Sequence, residues 1–162
     1  DEWTCAWTAL RGHINVLQWL RENGAPWNVY TTACVAKGGH LEVLQWLREN
    51  ECPSDGYISS HASSRGHLEV LKWLKEIGHT FGSYICNNAA VGGHLHILEW
   101  AKDNDIPCSS YFCIHAAKGC HLEVLKWAKR MESLWMRRFA NMPPPKVYRP
   151  SGASGKEDIW RS

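Results

Sequence analysis

A single run of residues recurs through this chain without insertion or deletion, and it limits the fold more than any other feature. GHLEVLQWLREN, from Gly39 to Asn50, returns as GHINVLQWLREN from Gly12 and GHLEVLKWLKEI from Gly66. It returns again as GGHLHILEWAKDN from Gly92 and CHLEVLKWAKRM from Cys120. Its histidines, His13, His40, His67, His94 and His121, stand 27 residues apart. Self-similarity at a fixed period of about 20 to 50 residues marks stacked modules, not one globular core.

Within each period the pattern reads helix, tight turn, helix, loop. An aromatic residue (Trp3, Tyr30, Tyr57, Tyr84, Tyr111) opens a stretch of small side chains such as Thr31-Thr32-Ala33-Cys34. Small residues let two helix backbones approach closely, so this stretch predicts a short first helix. Asp1, Asn28, Asp55 and Ser109 precede it where a capping acceptor is wanted, while Gly82-Ser83 is a weaker cap. Glycines at Gly12, Gly38-Gly39, Gly66 and Gly92-Gly93 predict the left-handed stop. In the last copy, Gly119-Cys120, that turn is expected to lean on Gly119.

The second helix starts at the histidine. Leu41, Val43, Leu44, Trp46 and Leu47 make an apolar stripe opposite Glu42, Gln45, Arg48 and Glu49. The stripe is too wide for one partner helix, so neighbouring units must cover it. Pro26, Pro53 and Pro107 then turn the chain. The array covers 1–137, as units 3–29, 30–56, 57–83, 84–110 and 111–137, and 138–162 reads as a disordered or atypical tail with Pro143-Pro144-Pro145 in it. Because the chain begins at Asp1, inside a unit, it reads as a piece of something longer.

The recurring Ala89-Ala90-Val91-Gly92-Gly93-His94-Leu95-His96-Ile97-Leu98-Glu99-Trp100-Ala101-Lys102 run resembles the ankyrin-repeat consensus around its two helices. The resemblance extends over all the units and is closest to a short, tryptophan-containing variant. It implies an all-α, ankyrin-like helix-turn-helix solenoid of five repeats with little or no β-hairpin, since a 27-residue unit leaves no room for the family's usual finger. The family's Thr-Pro-Leu-His opening is replaced here by an aromatic-led segment.

Composition narrows the function classes. Residues 1–137 hold 13 Lys and Arg against 14 Asp and Glu, so the array lacks the excess positive charge of a nucleic-acid surface. Seven cysteines show no CxxC and no framework spacing, which favours a reducing compartment over a disulfide-stapled fold. With no long apolar run, the reading is a monomer inside the cell, in the cytoplasm, without nucleic-acid or membrane partners.

The histidines fall about 8–10 Å apart on adjacent packed helices, too far to share one ion, so they read as turn residues bonded to a neighbouring turn. The tryptophans Trp19, Trp46, Trp73, Trp100 and Trp127 read as core or inter-unit packing, and Tyr30, Tyr57, Tyr84 and Tyr111 as packing with the hydroxyl at the surface. Cys113 near His115 fits a nucleophile and base, but Cys86/Asn88 and Ser59/His61 occupy the same slots, as drifting copies of one position do. No catalytic residue, cofactor or metal is expected.

What the resemblance implies instead is a protein-protein interaction scaffold that binds its partner along a concave face. Carried onto this chain, the binding positions are Trp7, Arg11, Lys37, His61, Arg65, Asn88, His115 and Lys118, with Trp27 and Phe81 at loop tips. The alternative is an adaptor that selects substrates for a larger protein, of the ubiquitin-ligase type, with its effector domain elsewhere.

Overall fold

A computed structural model describes residues 2–109 and 111–139, with side chains for 3–109 and 111–131. Among the described residues there are ten helices and no strand, so the protein is all-α. They are α1 (Glu2–Leu10), α2 (Ile14–Glu22), α3 (Val29–Gly38), α4 (Leu41–Glu49), α5 (Ile58–Arg65), α6 (Leu68–Glu76), α7 (Tyr84–Val91), α8 (Leu95–Asp103), α9 (Phe112–Lys118) and α10 (Leu122–Phe139). The chain divides into a compact unit, Asp1–Arg130, and a second, Met131–Ser162. Of the second, the described part is helical as far as Phe139, because nothing after Arg130 stops α10. Apart from residues 138 and 139, which are helical, the tail at 138–162 lies outside the described residues.

In the compact unit the odd-numbered helices pack in series, α1 on α3, α3 on α5, α5 on α7 and α7 on α9. Their contact faces are small: Ala6 and Ala9, Ala33 and Ala36, Ala62 and Ser63, Ala89 and Ala90 are all buried. Of the even-numbered helices, α2, α4, α6 and α8 each pack against the odd helix before them. They bury Leu17, then Val43, Leu44 and Leu47, then Val70, Leu71 and Leu74, then Ile97, Leu98 and Ala101. The core therefore lies between the two sets, each helix contributing the stripe that the sequence period marked out.

The ends are built as their residues dictate. Asn28 caps α3 by accepting from the Tyr30 amide at 2.9 Å, and Asp55 accepts from the Tyr57 amide at 3.1 Å. At the other end of the even helices, the side-chain amides of Asn23, Asn50 and Asn104 donate to Trp19, Trp46 and Trp100 carbonyls at 2.8, 2.9 and 2.7 Å. Each of these carbonyls also accepts the backbone amide of the same asparagine, so the side chain adds a second bond at the helix end.

Three expectations need correction. Gly119 is right-handed, and it is Cys120, at φ 57°, that takes the left-handed turn. The tyrosines are not packed away: Tyr30, Tyr57 and Tyr111 are largely exposed, because the helix contacts use the small residues beside them. The cysteines are not all free, since Cys86 on α7 and Cys108 in the following loop form a disulfide, with Cα atoms 5.4 Å apart. Their spacing crosses from a helix to the next loop, which no cysteine-spacing rule covers. The same helix position bonds the same loop elsewhere without a disulfide. Thr32 Oγ1 donates to the Pro53 carbonyl at 2.9 Å, and Ser59 Oγ lies 3.2 Å from His79 Nε2.

Candidate interaction surface

Which side chains are free to meet a partner follows from which are consumed by the packing. The histidines are consumed. Nε2 of His40, His67, His94 and His121 donates to the carbonyls of Leu10, Lys37, Ser64 and Val91 at 3.0, 2.8, 3.1 and 2.7 Å, always 30 residues back. Those carbonyls close the odd helices, where no further backbone amide reaches them. Since a carbonyl only accepts, each ring carries its proton on Nε2. The rings of His40, His67 and His94 bond no amide of their own helix, although each sits at that helix's start.

The imidazole lies flat between two turns, and that explains the glycines. A Cβ on Gly12, Gly39, Gly66 or Gly93 would come within 3 Å of the next unit's ring, at His40, His67, His94 or His121. Each of these glycines also has positive φ, which a side chain rarely adopts. Burial holds the His94 ring below its ordinary pKa of 6.5, with the charges of His96, His67 and His121 acting the same way and the Ser64 carbonyl opposing. Among the described residues no three His, Cys, Asp or Glu side chains converge where a metal ion could sit.

The tryptophans are largely consumed as well. Trp46 meets Trp27 edge-on at 5.6 Å, and Trp100 meets Phe81 at 5.8 Å. Trp127 is buried against Phe112 at 6.2 Å, while Trp19 is exposed. Trp27 also lies under the Arg21 guanidinium at 4.3 Å. Two of the expected loop-tip binding residues, Trp27 and Phe81, are thus half-buried supports for the even helices.

The remaining expected positions lie on the odd helices. Trp7, Lys37 and Arg65, from three successive units, are exposed and line one groove of about 430 Å³. Trp3, Ala6, Leu10 and Cys34 complete its walls, and Trp3 is stacked on Tyr30 at 5.7 Å. Arg11 and Lys118 are exposed at the ends of α1 and α9. His61, Asn88 and His115 hold the helix position equivalent to Trp7 and are half-buried. Asn88 donates to Ser60 Oγ on the preceding odd helix. Burial, and then the Lys37 charge, keeps the His61 ring below its ordinary pKa, with Asp55 opposing.

Trp3 and Cys34, like the small Ala6, escaped sequence reasoning. Trp3 belongs to the aromatic column assigned to packing, and its being tryptophan among tyrosines was the available signal. Cys34 was hidden among the small packing residues. Its thiol is pushed up by burial, with Lys37 opposing, as burial also raises those of Cys5 and Cys52, so these three favour the protonated form. Among the described residues no helix is long and apolar enough to cross a membrane. No protein-family model matches the chain, and no curated protein matches it in sequence.

Proposed function

We propose that the chain is an ankyrin-like repeat array that binds a partner protein along the face of its odd-numbered helices, without catalysis. The observation that carries this reading is the convergence of Trp7, Lys37 and Arg65 on one groove. They come from positions that vary between units, whereas the repeated histidines, glycines and leucines serve the packing. In the resemblance stated above this face is the concave one. Exposed Trp and Arg are the residue types that most often dominate protein interfaces.

The test is capture from lysate with the chain and with a Lys37→Ala/Arg65→Ala/Lys118→Ala variant. All three side chains are exposed, so the variant keeps its fold. Loss of the captured proteins is expected. Identical captured sets would show that the binding face lies elsewhere.

A further inference from the structure

Charge in the compact unit is sorted by element, and the sorting specifies what chemistry fits the groove. Past Glu2, the odd helices and the turns that close them (3–12, 29–39, 57–66, 84–93 and 111–120) contain no Asp or Glu. They do contain Arg11, Lys37, Arg65 and Lys118. The unit's other carboxylates, from Glu22 to Glu123, stand on the even helices and the loops. There they meet cations of their own, as in Lys72–Glu69 at 2.7 Å and Lys126–Glu123 at 2.8 Å. Among the described residues neither Lys37 nor Arg65 forms an ion pair.

The helix dipole accounts for half of this arrangement. Cations favour the last turn of a helix, where these four stand or just beyond it. The same dipole favours acids in the first turn, yet α3, α5 and α7 have none there. Helix stability alone therefore leaves the missing carboxylates unexplained, whereas a face that receives negative charge requires their absence.

We propose that the groove takes an acidic peptide segment, with carboxylates meeting Lys37 and Arg65 and an apolar side chain between them laid against Trp7 and Leu10. This rests on the reading of the odd-helix face as the binding face and names the partner's chemistry. An extended peptide suits the lining better than a nucleic acid does. Most of the wall is apolar, only two cations project into it, and residues 1–137 as a whole are near neutral, with 13 basic against 14 acidic side chains. A phosphate backbone gains its affinity from many released counterions, which two cations cannot supply. A second copy fits less well, because the acidic helices of this chain already bury their apolar stripes.

The experiment selects a phage-displayed library of random short peptides on the chain, then measures the strongest binder by fluorescence anisotropy. Enriched peptides should carry Asp or Glu on both sides of a large apolar residue. Their binding should weaken about tenfold in Lys37→Glu/Arg65→Glu, and likewise when the peptide's acids become amides. It should also weaken with added salt. Enriched peptides that are neutral or basic but still lost in that variant would overturn the acidic partner while leaving the binding face in place. Failure to enrich any peptide would overturn it too, and only an unchanged lysate capture would remove the face as well. Tighter binding of an oligothymidylate probe than of any peptide, lost in the variant, would replace the peptide by nucleic acid. Dimerisation of the chain abolished by the variant would replace it by a second copy.

Discussion

At the scale of single residues, the histidine–glycine pair joins one unit to the next. The His67 ring holds the Lys37 carbonyl at 2.8 Å while lying against Gly39. Gly24 has the same left-handed conformation, φ 76° against 75°, but beyond its two chain neighbours nothing lies within 4 Å of where its Cβ would be. The two glycines therefore separate backbone strain from steric conflict. Gly24→Ala should cost about 1 kcal/mol, the strain of a left-handed L-residue. Gly39→Ala should cost about 2 kcal/mol more, because the displaced ring also gives up its hydrogen bond. Urea denaturation measures both, and with His67→Ala in the background the excess at position 39 should vanish. Equal costs at the two glycines would dissolve the pair. Cys120 fits the same logic: it is exposed, and the sequence has no histidine 28 residues further on, where each of the glycine turns has its ring, so a side chain is tolerated despite its positive φ.

At the scale of elements, the loop position 19 residues before Trp46, Trp73 and Trp100 decides how that tryptophan is covered. Trp27 covers Trp46, and Phe81 covers Trp100. Ser54 is too small to cover Trp73, and a cavity of about 180 Å³ opens between them, with Leu44, Leu47 and Leu74 in its wall. The Arg48 guanidinium stands 5.8 Å from the Trp73 ring instead. Ser54→Phe should fill that space and stabilise the fold by about 0.5–2 kcal/mol, read as a raised melting temperature. An unchanged or lowered melting temperature would show that Arg48 already does this work. The helix boundaries were legible in the chain because caps, glycine stops and the apolar stripe are local signals. The Cys86–Cys108 bond and the Ser54 cavity were not: the first depends on where a loop folds back onto its own unit's first helix, the second on where it lands against the next unit.

At the scale of the molecule, stability should follow pH through the half-buried histidines. His61, His79 and His94 all have pKa values lowered from 6.5, in each case chiefly by burial. A lowered value means that the folded chain declines protons that the unfolded chain accepts. Stability is therefore full above the unfolded value of 6.5 and falls as pH drops through it towards the folded values. The melting temperature should be lower at about pH 5 than at about pH 7.5. His79→Gln, which removes one of the three while leaving an amide to face Ser59, should reduce the difference. A melting temperature that rises on acidification would contradict the burial of these rings. The candidate surface was half legible: Trp7, Lys37 and Arg65 stood out as variable positions, but no sequence rule says that three units aim them into one groove.

The chain's own order of residues was enough to determine the helices, most of their ends and which stripe each buries, because these depend on neighbours within a turn or two along the backbone; the turn at Gly119-Cys120 was the exception. Only the tertiary structure decided which histidine holds which carbonyl, that Cys86 and Cys108 meet, and which exposed side chains share the groove. Those outcomes turn on distances between segments far apart in the chain, within a unit for the disulfide and between units for the rest, which the period repeats but does not measure.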